Sequence, residues 1–195
     1  MKLTKVTYNK DKFILPKPLK EKGFHTMKNI VYKYDIRPIM NGVFFESDGS
    51  LVASDGNILV VLKNYDKKGI SNFINKVIDL KTLKPIDGTY PNYKSVIPDD
   101  YTDSINVEID TLLGVVNYNM LQIKKNTPKT REQRRKSDYD TKGMFIYFDL
   151  LRIVFDCKKL FDVLQCLKAN GAKTIEISYE TKTDKILINS DNKNL

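Results

Sequence analysis

"PIDGTYPNYKSVIP", Pro85 to Pro98, decides how the rest of this chain is read. Three prolines and one glycine fall within it, with Tyr90, Tyr93, Val96 and Ile97 spaced between them. Proline fixes its own φ and pushes the preceding residue toward extended backbone, so the stretch predicts no helix. A plain solvent loop would be more polar. The combination predicts a stiff, extended connector that still presents aromatic and branched apolar side chains.

Before this connector, residues 1–15 have the β-formers Val6, Tyr8, Phe13 and Ile14 around "NKDK", a strand-forming start with a turn. Phe24, Met27, Val31 and Tyr34 then recur at helical spacing, with Lys22, Thr26, Asn29 and Lys33 on the other side and Gly23 weakening the first turn. "PIMNGVFFESDGSLVASDGNILVVLKN" predicts two strands: Val43 and Phe45 share a face, "ESDGS" is a tight turn, and the chain runs back or bends at Asp55–Gly56. "NKVIDLKT" predicts a further strand and a turn.

After the connector, "INVEI" alternates as a strand, and Asp110 is placed to cap a helix striped by Leu112, Val116, Met120 and Ile123. Residues 124–142 are basic and polar with no apolar periodicity, which predicts a mobile loop. "MFIYFDLLRIVFD" is dense in β-formers. Asp156 then offers an N-cap to a helix striped by Leu160, Val163, Leu164 and Leu167 and closed at Asn170–Gly171. "TIEISYE" and "KILINS" alternate cleanly and predict a hairpin. The same unit, a helix followed by an antiparallel hairpin, stands near both ends, and the expected class is α+β with antiparallel sheet.

The chain has 195 residues, room for one large domain or two small ones. Its net charge of +9 favours polyanionic partners. The N-terminus carries no secretory pattern and no segment approaches the ~20 apolar residues of a membrane span, so a cytoplasmic protein without membrane attachment is expected. Cys157 and Cys166, nine residues apart on one helix, would lie about 13 Å apart along its axis on opposite faces and cannot pair. His25 is the single histidine, which excludes Ser-His and Cys-His machinery beyond it. Asp99, Asp100 and Asp103 have no calcium-loop spacing and read as a solvated turn. No phosphate loop, dinucleotide fingerprint, zinc pattern or nucleophile elbow is present, so neither an enzyme nor a cofactor or metal is expected.

"IRPIMNGVFFE" (Ile36–Glu46), "LVASDGNILVV" (Leu51–Val61), "IDGTYPNYKSVIP" (Ile86–Pro98) and the C-terminal "FDCKKLFDVLQCLKANGAKTIEISYETKTDKILINS" occur in the order in which similar segments occur in one family. Together they resemble the bacterial sliding clamp, the DNA polymerase III beta subunit. The resemblance implies a sliding-clamp (processivity-fold) type: α+β, antiparallel sheets with helices packed on one face, the helices toward a DNA-sized hole. It implies that the Tyr-Pro segment connects domains and lines the groove that captures polymerase and clamp-loader peptides. Carried over by position, that groove draws on Arg37, Ser54, Gly56, Asn57, Leu59, Pro91 and Val96. The sequence departs from the family at Ser54, at Asn57 where a larger polar residue is common, and at Ile58 where Arg is usual. The second half of a middle domain is missing between Leu62 and Lys84, and the groove-completing terminal strand is not found before Leu195.

The expected organisation is one compact clamp-like domain of two helix-hairpin halves, about 1–98 and 99–195; two trimmed domains split near 98 are the alternative. The expected function is a noncatalytic processivity factor of phage or mobile-element type, tethering a replication or repair enzyme to double-stranded DNA. The alternative is a clamp-fold adaptor that does not encircle DNA and binds peptide motifs of replication proteins. Sequence-independent phosphate contact would come from Lys22, Lys28 and Lys33, from Lys158, Lys159 and Lys168, and from the run containing Lys124, Lys125, Arg131, Arg134 and Arg135. Asp162 reads as an outer-face carboxylate that weakens the positive surface of the last helix. A homo-oligomer is one arrangement compatible with a ring.

Overall fold

A computed structural model describes residues 22–31, 37–63, 70–98, 101, 103–126, 145–148, 153–180 and 185–191. The expected start at 1–15 and most of the basic segment lie outside them. Helix α1 (Lys22–Thr26) passes into a 3₁₀ turn at Met27–Asn29, so the predicted helix is shorter and tighter than its periodicity suggests. Of its expected stripe Phe24, Met27 and Val31 are buried, with Ile30 beside them, while Tyr34 lies outside the described residues.

Five strands follow: β1 (Val43–Phe45), β2 (Leu51–Ser54), β3 (Leu59–Leu62), β4 (Lys76–Ile78) and β5 (Pro85–Ile86). They form an antiparallel sheet in the order β3-β2-β1-β4-β5. Val43 and Phe45 point into the core as their alternation predicts. The "ESDGS" turn closes on itself, with Gly49 N–H donating to the Glu46 carbonyl and Ser50 N–H to the Asp48 carboxylate. Gly42 is needed where the chain enters β1, because a Cβ there would stand 2.6 Å from the Ile78 carbonyl oxygen.

Pro85–Pro98 opens on the two-residue strand β5 and carries one 3₁₀ turn at Tyr93–Val96. Proline spacing excludes an α-helix there, not a single tight turn between Pro91 and Pro98.

Beyond the connector run β6 (Asp103–Glu108) and α2 (Ile109–Asn126), then the antiparallel pair β7 (Phe145–Phe148) and β8 (Ile153–Asp156). Helix α3 (Cys157–Ala169) and the hairpin β9 (Thr174–Glu180) and β10 (Lys185–Ser190) follow. Strands β10-β9-β6 form a second antiparallel sheet. Asp110 is not the cap expected of it: α2 begins one residue earlier, so Asp110 lies in the first turn. The helix also runs on through Lys124 and Lys125, which the sequence assigns to a loop. Asp156 caps α3 as predicted, accepting from Lys159 N–H at 3.0 Å, and Gly171 ends it at φ 92°.

Helix α3 serves two cores. Leu160, Leu164 and Leu167 pack with Ile109, Leu112, Leu113 and Val116 of α2 and with Ile175 and Ile177 of β9. Cys166 instead joins Phe24, Met27, Phe45 and Leu51 on the α1 side, and Val163 touches both groups. The two cysteines are therefore both buried and both free, in different cores. Burial pushes the Cys166 thiol up to about 11, against a hydrogen bond with Thr26 that lowers it. Neither thiol is placed for nucleophilic or redox work.

Candidate functional site

The connector is held to the first sheet at three side chains. The Tyr90 ring stacks on Phe44 with centroids 5.1 Å apart and planes 8° from parallel. Tyr93 donates its hydroxyl to Glu46 Oε2, and Lys94 Nζ lies 2.6 Å from Glu46 Oε1. Burial first, then the hydrogen bond and charge of Glu46, raise the Tyr93 phenol above its ordinary value. The same carboxylate raises the Lys94 ammonium. A single glutamate thus fixes one neutral and one cationic group of the connector. Val96 and Ile97 remain exposed beside it, and Pro91 is exposed as well.

The remaining residues of the expected groove gather at the turn between β2 and β3. Asp55 accepts from Asn57 and Ile58 N–H at 2.8 Å each, and the Ser54 hydroxyl accepts from Gly56 N–H at 3.0 Å. Gly56 has φ +90°, and a Cβ there would stand 3.5 Å from Arg37 Nη1. Leu59 pairs with Ser54 in the ladder and is half-buried, and Asn57 is exposed. Arg37, Ser54, Gly56, Asn57 and Leu59 therefore sit around one turn. Pro91 and Val96 stand on the connector, which is tied down at Phe44 and Glu46. Ile58, in place of a polar residue, packs onto the core.

The basic candidates divide by their surroundings. On α3 all three lysines have carboxylate partners. Lys158 lies 2.5 Å from Asp162, Lys159 lies 3.2 Å from Asp55, and Lys168 pairs with Asp110 of α2. Asp162 itself is 7% exposed, not an outer-face residue; Lys158 one turn away accounts for a carboxylate at that depth. Lys28, Lys124 and Lys125 are exposed. Lys22 lies in α1, while Lys33, Arg131, Arg134 and Arg135 are outside the described residues. His25 is exposed, edge-on to Phe24.

Sequence reasoning missed the clip of Phe44, Glu46, Tyr90, Tyr93 and Lys94. The signal was available: Tyr90 and Tyr93 recur in a connector too short to need two aromatics, and Phe44 is an apolar residue on the face opposite Val43 and Phe45. Among the described residues no group of three or more His, Cys, Asp or Glu side chains comes together to hold a metal, and no helix is long and apolar enough to cross a membrane.

No protein-family model and no curated protein matches the sequence. Solved structures do. The sliding clamp (DNA polymerase III subunit beta) of Bartonella birtlesii, bound to griselimycin, is similar with a TM-score of 0.59 and 16% identity over 86% of this chain and 60% of its own. The DNA polymerase III subunit beta of Pseudomonas aeruginosa gives 0.58 and 13% over 87% and 61%. The Helicobacter pylori beta clamp bound to a DNA ligase peptide gives 0.56 and 13% over 86% and 59%. This chain thus spans about 60% of the length of the clamps it matches. With its antiparallel sheets, its helices packed against them and these neighbours, it has the sliding-clamp fold.

Proposed function

We propose that this protein is a noncatalytic clamp-fold processivity factor that holds a replication or repair enzyme on double-stranded DNA. The observation that carries the reading is the clip of the connector to Glu46 and Phe44 within a clamp fold, because it fixes the segment bearing Pro91 and Val96 to the same sheet whose β2–β3 turn bears Gly56 and Leu59. The clamp of H. pylori holds a DNA ligase peptide. By analogy Leu59, Pro91 and Val96 supply apolar contact to a partner peptide, with Arg37, Ser54, Gly56 and Asn57 around it. We read the chain as one clamp-like domain of two halves, supported by the way α3 packs into both cores.

DNA contact in this reading is diffuse and falls on Lys28, Lys124 and Lys125 and on the basic run with Arg131, Arg134 and Arg135. It does not fall on Lys158, Lys159 or Lys168, which have partners. Duplex binding is expected to weaken steeply with salt and to show no sequence preference. Neutralising Lys124, Lys125, Arg131, Arg134 and Arg135 should lower the salt slope by up to about 0.9 for each lost phosphate contact, whereas neutralising the α3 lysines leaves it unchanged. Salt-insensitive or sequence-specific binding overturns the mechanism.

The three ion pairs of α3 favour a second reading, an adaptor that captures partner peptides without encircling DNA. Changing Leu59 and Pro91 together abolishes peptide capture in either reading; an adaptor then shows no salt-dependent duplex binding in the unaltered protein. Unchanged capture in that double variant removes the groove from both.

A further inference from the structure

Lys159 belongs to α3, yet its ammonium reaches the turn between β2 and β3, 3.2 Å from Asp55 Oδ2. Arg37, just ahead of the 3₁₀ turn Pro38–Asn41, reaches the next residue of the same turn. Gly56 has φ +90° and puts no side chain there, and a Cβ would stand 3.5 Å from Arg37 Nη1. Two cations therefore meet consecutive residues of the turn that Ser54 and Leu59 flank. The carboxylates at this place are already committed. Asp55 Oδ1 accepts from Asn57 and Ile58 N–H while its Oδ2 faces Lys159, and Asp156 accepts from Lys159 N–H as the cap of α3. On the connector, Glu46 holds Tyr93 and Lys94. Arg37 is exposed, and its guanidinium has no acceptor among the described residues.

We propose that the groove selects a partner peptide carrying aspartate or glutamate beside its apolar anchors, and that Arg37 and Lys159 are the residues that select it. The inference rests on the groove reading above and names the chemistry of its partner. Apolar contact with Leu59, Pro91 and Val96 discriminates poorly between one leucine-bearing peptide and another. Charge discriminates better. A peptide carboxylate at the turn gives Arg37 the acceptor it lacks, and a guanidinium matches a carboxylate with two parallel N–H bonds. Lys159 is free to share a second carboxylate, because its pair with Asp55 is partly exposed on both sides and weak. Asp55 keeps its two backbone donors when the ammonium turns away. A basic peptide meets like charge at the same place and is disfavoured. In the sequence Lys159 reads with Lys158 and Lys168 as a DNA contact; its ammonium instead stands at the β2–β3 turn.

The test uses three pools of fluorescein-labelled peptides that share fixed leucines and differ only at the flanking positions. Those positions are Asp and Glu in the first pool, Asn and Gln in the second, and Lys and Arg in the third. Fluorescence anisotropy is expected to show the acidic pool binding about tenfold more tightly than the amide pool, and the basic pool weakest. Arg37→Gln and Lys159→Gln should each cut that ratio by about threefold, and the double variant should bring it close to one. The ratio should also shrink at about 0.5 M salt, where exposed charges are screened. Equal binding of the acidic and amide pools, lost when Leu59 and Pro91 are both changed to Ala, overturns the selection and leaves the groove standing. Binding of no pool, or binding indifferent to that Leu59 and Pro91 variant, overturns the groove and this inference with it. Duplex binding is measured on the same variants. If Arg37→Gln weakens duplex DNA as much as it weakens the acidic pool, the cations serve phosphate and the proposal fails.

Discussion

The Lys159 ammonium lies 3.2 Å from the Asp55 carboxylate, joining α3 to the turn between β2 and β3. The two groups do different amounts of work. Asp55 also accepts two backbone N–H groups of its own turn, whereas the Lys159 ammonium has no other partner among the described residues. Both side chains are partly exposed, so their coupling should be only about 0.5 kcal/mol. Asp55→Ala is expected to cost about 1–2 kcal/mol and Lys159→Ala about 0.5 kcal/mol. Urea unfolding of the two single variants and the double variant measures this. Equal single costs would show that the ion pair, not the turn, is what Asp55 maintains.

Tyr90 stacks on Phe44, yet its buried hydroxyl has no hydrogen-bond partner among the described residues. Burial raises the phenol from 10.0 to about 12. The unfolded chain ionises first, so stability is fully present below pH 10 and is lost as pH rises from there through about 12. Tyr90→Phe keeps the stack and removes the unsatisfied group. It should gain about 1 kcal/mol at neutral pH and flatten this part of the alkaline decline. A less stable Phe variant at pH 7 would reveal a partner for the hydroxyl.

Glu46 is the anchor through which the connector is held. Glu46→Ala releases both Tyr93 and Lys94 and should cost about 1–2 kcal/mol, while Glu46→Gln keeps a neutral acceptor and should cost less than about 1 kcal/mol. Both changes should lower the Tyr93 pKa toward its ordinary value, since Glu46 contributes to raising it. Amide exchange should quicken in residues 85–98 and stay slow in β1 and β2. Ultraviolet titration of the tyrosines and hydrogen exchange read these effects separately. An unaltered exchange rate in the connector would show that stacking of Tyr90 alone holds it.

Local pattern carried the parts of this fold that local physics decides. The alternation of "TIEISYE" and "KILINS" and the stripe of Leu160, Leu164 and Leu167 each answer to one packed surface, so period alone places them. Val163 and Cys166 show where period falls short: a helix with apolar groups on two sides reads as one broad stripe, and nothing local says that it faces two cores. Asp162 departs from the expected outer face because a carboxylate on a helix is ordinarily solvated; Lys158, four residues before it, is a partner that spacing offers, but the burial of the carboxylate depends on packing that no local pattern shows. The β2–β3 turn was legible as a motif. Of the clip only the aromatic signal of Tyr90, Tyr93 and Phe44 was legible, since Glu46 and Tyr93 are distant in sequence and their pairing belongs to no local pattern.

Two glycines give opposite expectations that only the three-dimensional surroundings distinguish. At Gly42 a new Cβ would stand 2.6 Å from the Ile78 carbonyl oxygen and 2.8 Å from Val77 Cγ1, and one of those contacts is backbone in the β1–β4 ladder. Relieving it requires strand displacement, so Gly42→Ala should destabilise by about 1–3 kcal/mol. At Gly114 a new Cβ meets open space in the middle of α2, and alanine lowers the conformational freedom of the unfolded chain without strain. Gly114→Ala should therefore stabilise the protein by about 0.5–1 kcal/mol. Thermal unfolding of both variants beside the unaltered protein makes the comparison. If Gly114→Ala destabilised the protein, the glycine would be serving a contact that the open space at its Cβ does not reveal.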